Sequence, residues 1–211
     1  MNNKTIAIDE TNRDGIIGNV IFAMVSVSNP FNFFREHKSS LIMNADYLCR
    51  EERDNIVKST QTNPTILHTL GVIKPVELEN KDNLPYETLK ELETEKIADL
   101  LMTEKDFWKC RLVINIYDST KEEFIERIKK YLPARIFKLI KFEKCSICQE
   151  ANKKFKACSL ASIYAKSYSD FEMDQIRKVY DIGSSRPNDP KTTKFILDNK
   201  DNPLWFIRRD N

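Results

Sequence analysis

The sequence predicts an α/β protein with a mixed central β-sheet flanked by helices. Residues 5–9 and 19–27 are apolar, β-rich runs joined by a polar turn, a pattern typical of a β-hairpin. Predicted strands then alternate with amphipathic helices, which favours a sheet with helices on its faces. The 211 residues include only four glycines, so the sequence offers no glycine-rich phosphate-binding loop of a nucleotide-dependent motor or dehydrogenase.

The first half continues with elements of both kinds. We expect residues 30–47 to be loop-like, residues 48–59 to form a helix and residues 64–73 to form a strand. A long helix is expected from Pro85 to about residue 106, since proline suits the first turn of a helix. Its Glu and Lys side chains predict a solvated face, and its predicted buried side chains are Leu89, Leu92, Ile97, Leu100 and Leu101.

The second half predicts further alternation. Residues 111–117 predict a strand, and Ser119 with Glu122 matches a capping box that begins a helix. Another strand is expected at residues 135–143 and a helix at residues 157–178. Asn188-Asp189-Pro190 opens a predicted helix over residues 190–198. The predicted inward side chains of the helix after Ser119 are Phe124, Ile125, Ile128 and Leu132.

Composition limits the class of protein. Hydrophobic residues make up 41% and charged residues 31% of the chain, with a formal net charge of +2. No apolar run approaches the roughly 20 residues of a membrane span, so we expect no membrane partner. Five cysteines without a secretion signal favour reduced thiols in the cytoplasm. Cys145 and Cys148 are half of a zinc-site pattern, but without a second such pair we expect them to bind no zinc.

Chemistry is indicated where the first predicted strand ends. Asp9 and Glu10 are adjacent acids, and charged oxygens are the ligands that hard divalent cations prefer. The block Asp9-Glu10-Thr11-Asn12-Arg13-Asp14 resembles the first motif of the ribonuclease HII family, Asp-Glu-Ala-Gly-Arg-Gly. Both glycines of that motif are replaced here, by Asn12 and Asp14.

The resemblance extends along the chain and is strongest to the archaeal-type branch. Residues 157–170 resemble the family's Ser-Ala-Ala-Ser-Ile-x-Ala-Lys helix, and residues 182–192 resemble its Gly-Ser-Gly-Tyr-Pro-Ser-Asp-Pro segment. Phe206-Ile207-Arg208 matches the family's Val-Arg before a terminal Trp. The resemblance implies a ribonuclease H-like fold and a single ribonuclease HII-like domain over residues 1–211. We expect no C-terminal extension.

The implied activity is metal-dependent hydrolysis of RNA in RNA–DNA hybrids, or at single ribonucleotides in duplex DNA. The family uses four carboxylates, and two of those positions hold Asp9 and Glu10. The other two hold Asn115 and Asn152, unless a shifted loop register brings in Asp118 as a substitute. Since neutral amides do not offset the repulsion between two cations, we expect at most weak binding of one Mg²⁺ or Mn²⁺ by Asp9 and Glu10.

The positions that imply nucleic-acid recognition are altered in parallel. Asn12, Arg13 and Asp14 stand where the family's backbone approaches the ribose 2′-hydroxyl. Arg186 stands where the family has a tyrosine that packs on the sugar, near Ser184. Lys166 matches the family's helix motif. Asn44-Ala45-Asp46 replaces the family's Asp-Ser-Lys.

Three hypotheses follow. The first is a ribonuclease HII-like protein with a degenerate site, inactive or strongly impaired, that keeps a nucleic-acid-binding or interaction role. The second is a divergent metal-dependent endoribonuclease in which Asp118 or Asp14 replaces a missing acid. The third is a protein-interaction module with an unknown protein partner. Enzymatic activity therefore stays open.

Simpler interpretations accompany the individual residues. Asp9 and Glu10 could form a residual polar cluster paired with Arg13 or Lys166. The basic side chains near the C-terminus are expected to be solvated, although they could also contact phosphates; they are Arg186, Lys191, Lys194, Arg208 and Arg209.

Overall fold

The computed structural model describes residues 3–36, 42, 44–79, 85–117, 119–200 and 204–208. At its centre lies a sheet whose strands follow the order β3-β2-β1-β4-β5. β2 is antiparallel to β1 and to β3, whereas β4 is parallel to β1 and to β5. This confirms the predicted mixed sheet. The strands are β1 (Lys4–Thr11), β2 (Val20–Ser28), β3 (Ile66–Ile73), β4 (Arg111–Asn115) and β5 (Ser146–Cys148).

Helices lie on both faces of this sheet. They are α1 (Pro30–Glu36), α2 (Arg50–Gln61), α3 (Pro75–Glu79), α4 (Pro85–Thr103), α5 (Lys121–Ile128), α6 (Ala134–Phe137), α7 (Ala151–Lys154), α8 (Lys156–Arg177) and α9 (Pro190–Asp198).

Successive side chains of β1 enter different cores, because side chains of a strand alternate between the two faces of its sheet. Ile6 and Ile8 pack in a core with side chains of α4 and α5. Ala7 packs in a second core with α2 and α8. The alternation carries Asp9 toward α8 and Glu10 toward α4.

Strand register sets the neighbours of these acids. Asp9 is opposite Ala23 of β2, and Ile8 is level with Ile114 of β4. One residue further along each strand, Asp9 and Asn115 therefore lie side by side. Asn115 is in turn level with Cys148 of β5, immediately before the segment that carries Asn152.

Most predicted elements are confirmed, with shifted ends. The hairpin, the strand that is β3, the long helix α4, the helix α8 and the helix α9 all form where they were expected. Asp189 caps α9 as its sequence indicates, accepting a hydrogen bond from the Lys191 backbone N–H at 3.0 Å. The expected loop over residues 30–47 is wrong in part, because it contains the short helix α1.

The predicted strand at residues 135–143 is wrong. The segment contains α6, and the strand that pairs with β4 is β5, further along the chain. Ile136 and Ile140 are buried while Leu139 between them is exposed. Lys138, which would share a strand face with both isoleucines, is exposed as well, so burial recurs every four residues, as in a helix, and not every two.

The capping box before α5 lies one residue later than predicted. Thr120, not Ser119, accepts the backbone N–H of Glu123 at 3.2 Å, and the Glu123 side chain accepts the Thr120 N–H at 2.8 Å. The sequence offers both registers, and the buried positions of Phe124 and Ile128 select the second.

Two further expectations concern environment. Within the described residues, no helix is both long enough and apolar enough to cross a bilayer. All five cysteines are free thiols.

Candidate functional site

Asp9 lies at the end of β1, fully buried, with hydrogen-bond donors on both carboxylate oxygens. The Asn115 amide donates to Oδ1 at 2.8 Å, and the Asn152 amide donates to Oδ2 at 2.9 Å. Burial raises the pKa of Asp9 to about 6, although hydrogen bonds from Ser162, Asn152 and Asn115 act in the opposite direction. The two predicted carboxylate positions are therefore both in contact with Asp9, as amide donors.

The orientation of the Asn115 amide is fixed by a second contact. Its Oδ1 accepts the backbone N–H of Ala151 at 2.9 Å. Rotating the amide by half a turn would set two N–H donors against each other at Ala151. Asn115 therefore presents N–H groups, not an oxygen, to Asp9.

This donor set does not fit a pair of divalent cations between Asp9 and the two asparagines. A cation needs oxygen lone pairs directed at it, and the lone pairs of Asp9 here face N–H groups. Among the described residues, His, Cys, Asp and Glu side chains form no group of three or more that could hold a metal ion. Asp118, the predicted substitute acid, lies outside the described residues.

Glu10 lies on the other face of β1, where α4 contributes a further acid. Glu10 and Glu93 line one small cavity together with Asn115, Tyr117 and other residues of α4 and α5. Burial raises the pKa of Glu10 well above its ordinary value, the charges of Asp9 and Glu93 raise it further, and Arg13 lowers it. Burial and the charges of Glu10 and Asp9 also raise the pKa of Tyr117.

A groove of about 600 Å³ passes over this strand end, between the β1–β2 turn, α8 and the loop before α9. Asp9 and Asn115 lie beneath it. Most of the residues predicted to act on nucleic acid line the groove itself: Glu10, Asn12, Arg13, Asp14, Asn152, Lys166, Ser184 and Arg186.

The β1–β2 turn is held from within by Asn12. Its backbone has a φ of 61°, in the left-handed region that asparagine tolerates better than most residues. Its amide donates to the carbonyls of Ile17 at 3.0 Å and Asn19 at 2.9 Å. The side chain lies over Gly15, where an added Cβ would be 1.9 Å from Oδ1. Asn12 therefore organises the turn, while Asp14, two residues further along the chain, is exposed and lines the groove.

Two predicted cations of the groove are already paired. Arg13 Nε is 2.7 Å from Glu93 Oε1, and Lys166 pairs with Asp46. The interpretation in which Lys166 pairs with Asp9 or Glu10 is therefore wrong. Lys166 is the more exposed of the two cations, and its partner Asp46 is largely exposed, so this second pair faces the groove.

The far end of the groove is formed by the loop before α9. Ser184 and Arg186 line it, and the Arg186 side chain is exposed and forms no ion pair with the described residues. Asp189 accepts the backbone N–H of Ser184, and Arg177 donates to the carbonyl of Gly183 at 3.1 Å. Arg186 is therefore an available cation at this end.

Two contributors were not found by reading the sequence. Glu93 was assigned to the solvated face of α4, but it is buried. Arg208 was expected to be solvated, but it is buried and donates to the carbonyls of Asn12 at 2.7 Å, Arg13 at 3.0 Å and Gly18 at 2.8 Å. Arg209 lies outside the described residues. The Phe206-Ile207-Arg208 match was the available signal for Arg208, whereas Glu93 had none.

Comparisons with known proteins agree with this architecture. A sequence profile described as Ribonuclease HII matches residues 6–210. The Ribonuclease HII of Picrophilus torridus is 28% identical over 208 residues, which are 96% of this chain and 92% of that protein.

Solved structures confirm the ribonuclease H-like fold. The ribonuclease H2 from Pyrococcus horikoshii OT3 has a TM-score of 0.75 at 20% identity, covering 98% of this chain and 92% of that one. The structure of the PCNA:RNase HII complex from Archaeoglobus fulgidus has a TM-score of 0.74 at 17% identity, covering 98% of this chain and 96% of that one. Bst-RNase HIII in complex with Mn²⁺ has a TM-score of 0.70 at 15% identity, covering 95% of this chain and 63% of that one.

Proposed function

This chain belongs to the ribonuclease HII family, and we propose that it is a member with impaired hydrolysis that binds nucleic acid along its groove. The observation that carries the proposal is the pair of amide donors on Asp9. In a relative of this fold the bound ion is Mn²⁺, and Mg²⁺ or Mn²⁺ is the metal to test here. Among the described residues of the predicted set, Asp9 and Glu10 are the candidates for weak binding of one ion.

Electrostatics support impaired hydrolysis. Two divalent cations about 4 Å apart repel each other strongly unless several carboxylates surround them. Asn115 and Asn152 bring no charge, and their N–H groups face the position from which Asp9 would bind a cation. Metal binding would therefore require both amides to rotate, and rotation of Asn115 would leave the Ala151 N–H without its acceptor.

A single-ribonucleotide duplex tests this part of the proposal. We expect no Mg²⁺- or Mn²⁺-dependent incision above that of an Asp9→Asn control prepared in parallel. The variant with both Asn115→Asp and Asn152→Asp restores four acids, and we expect calorimetry to show tighter Mn²⁺ binding than in the unaltered chain. Clear incision by the unaltered chain that Asp9→Asn abolishes would contradict the proposal.

Retained binding is supported by the position of Arg186. Protein–nucleic acid affinity comes largely from contacts between cations and phosphates. Lys166 and Arg13 each have an acidic partner within the protein, so Arg186 is the groove cation with the least internal competition. Nucleic acid is therefore expected to be held most firmly at the α9 end.

Fluorescence anisotropy with a short labelled duplex at low salt measures this binding. Arg186→Ala should weaken it several-fold and reduce the slope of log affinity against log salt by about one. Arg135→Ala is the matched control, because Arg135 is an exposed arginine of α6 outside the groove. Equal effects of the two substitutions, or no binding at low salt, would contradict the groove as the binding surface.

One observation favours a second function, interaction with a protein. Phe171, Val179 and Trp205 are 56%, 73% and 69% exposed and surround an apolar depression of about 450 Å³ on the side of α8 away from the groove. Exposed apolar patches of this kind mark interaction surfaces. A relative of this fold was solved in complex with PCNA.

Affinity purification from the source organism tests this second function. A partner retained by the unaltered chain should be lost from the variant with Phe171→Ser and Trp205→Ser. Leu139→Ser, which removes an exposed apolar side chain elsewhere, should leave retention unchanged. Equal retention by both variants would contradict a role of the patch.

A further inference from the structure

Arg13 joins the β1–β2 turn to α4 at the strand end. Its Nε lies 2.7 Å from Glu93 Oε1, and both side chains are about one-tenth exposed. Its guanidinium carbon lies 5.5 Å from the centre of the Tyr117 ring. Arg13 lines the groove and Glu93 lines the small cavity, while Glu10 lines both. The Arg13–Glu93 pair therefore connects the walls on either side of Glu10.

The charges around this pair are otherwise crowded acids. Asp9, Glu10 and Glu93 converge on the end of β1 from two elements, and the first two are adjacent in sequence. A buried carboxylate is unstable without a cation or several donors. Asp9 has its amide donors. On the Glu10 side, the guanidinium of Arg13 favours the charged form of Glu10.

The backbone holds Arg13 in this position. Arg208 donates to the carbonyls of Arg13 and Asn12, at 3.0 and 2.7 Å. The antiparallel bridge between Ile17 and Ile207 fixes the same turn to the C-terminal segment. Arg13 is therefore presented to Glu93 by a turn that is anchored at both ends, and not by a freely moving loop.

We propose that Arg13 is a positioning residue that serves as the permanent counter-cation of the Glu10–Glu93 pair and excludes a divalent cation from that side of the strand end. Lys90 and Arg127 also line the cavity. Arg127 Nε donates a hydrogen bond to the Thr94 hydroxyl at 3.3 Å, so this side chain contacts α4. The inference rests on the contacts of Arg13 with Glu93 and Tyr117.

Thermal unfolding of three variants at about pH 8, well above the ordinary pKa of a carboxyl group, tests the proposal. Arg13→Gln removes the charge, Arg13→Lys keeps it, and Arg135→Gln is the exposed control. In EDTA, Arg13→Gln should lower the unfolding midpoint by about 6–12 °C, as expected for a buried acid left unpaired. Millimolar Mn²⁺ should restore about half of that loss, whereas it should move the unaltered chain, Arg13→Lys and Arg135→Gln by less than about 1 °C.

A second variant keeps the test decisive if Arg13→Gln folds poorly. The double substitution Arg13→Gln with Glu93→Gln removes cation and acid together, so it should be more stable than Arg13→Gln alone and should lose the response to Mn²⁺. The proposal is overturned if Mn²⁺ stabilises the unaltered chain as much as Arg13→Gln, or if Glu93→Gln adds to the destabilisation. Failure of the proposed function is a different result: it would be seen as incision of a duplex by the unaltered chain.

Discussion

Asp9 and Glu10 are neighbours in β1, yet the two faces of the sheet accommodate them differently. On the α8 face, Asp9 is surrounded by neutral donors from Asn115, Asn152 and Ser162. On the α4 face, Glu10 lies beside another acid, Glu93, and the cation Arg13. One strand end thus contains a buried acid held by dipoles and a buried acid held by charge.

The difference matters because the two arrangements tolerate change unequally. Hydrogen bonds from amides require particular atoms at particular distances, and a donor replaced by an acceptor leaves buried groups facing like charge. A counter-cation acts through charge over a longer range, so Lys can replace Arg in part. We therefore expect conservative substitutions on the α8 face to lower the free energy of unfolding more than conservative substitutions on the α4 face.

Asn115→Asp should have the largest effect of the substitutions on that face. It replaces an N–H donor 2.8 Å from Asp9 Oδ1 with a second carboxylate, while the contact with Ala151 is kept. We expect a loss of about 3–5 kcal/mol in the free energy of unfolding near neutral pH, the usual cost of an uncompensated buried charge.

Urea unfolding in EDTA measures this loss. Asn55→Asp is the matched control, because Asn55 is an exposed residue of α2 and should change stability by less than about 0.5 kcal/mol. If the two variants were equally stable, the amide of Asn115 would not be the donor that holds Asp9.

The titration of Asp9 gives the next largest effect. Its pKa rises from 3.8 to about 6 on folding, so the folded protein binds this proton more tightly than the unfolded chain does. The associated stability is fully present below about pH 4 and is lost as the pH rises through about 6, a change of about 3 kcal/mol.

We isolate this contribution by measuring the free energy of unfolding from about pH 4 to pH 7. The two proteins compared are the unaltered chain and Asp9→Asn. The difference between them should move by about 3 kcal/mol in favour of Asp9→Asn as the pH rises. Asp14→Asn, an exposed acid of the β1–β2 turn, should run parallel to the unaltered chain. A constant difference for Asp9→Asn would show that its environment favours the charged form as much as water does.

Much of the fold could be predicted because its signals are local. Continuous apolar, β-rich runs define β1 and β2, and Asp189-Pro190 marks the start of α9. The segment at residues 135–143 failed since short apolar runs do not distinguish a strand from a helical turn. The exposure of Lys138 between the buried Ile136 and Ile140 separates the two, because all three would share one face of a strand.

The site divides in the same way. Asn115 and Asn152 could be placed beside Asp9 from the resemblance, although 106 and 143 residues separate them from it in sequence. The Arg13–Glu93 pair could not, because Glu93 lies among the acidic and basic residues of α4 that predict a solvated face. Its burial depends on how α4 packs over β2 and β3, which no local pattern in the sequence specifies.

The smallest predicted effect separates hydroxyl from amide donors on the α8 face. Ser162 is buried, and its hydroxyl favours the charged form of Asp9. Ser162→Ala should therefore cost about 1 kcal/mol near neutral pH and less near pH 4, where Asp9 is protonated in both proteins. Ser167→Ala, on the same helix, removes a buried hydroxyl that has no hydrogen-bond partner among the described residues, so it should be neutral or slightly stabilising. Equal losses from the two serines would mean that Ser162 acts through packing alone, and the two asparagines would then be the side-chain donors that support Asp9, together with the backbone N–H of Glu10.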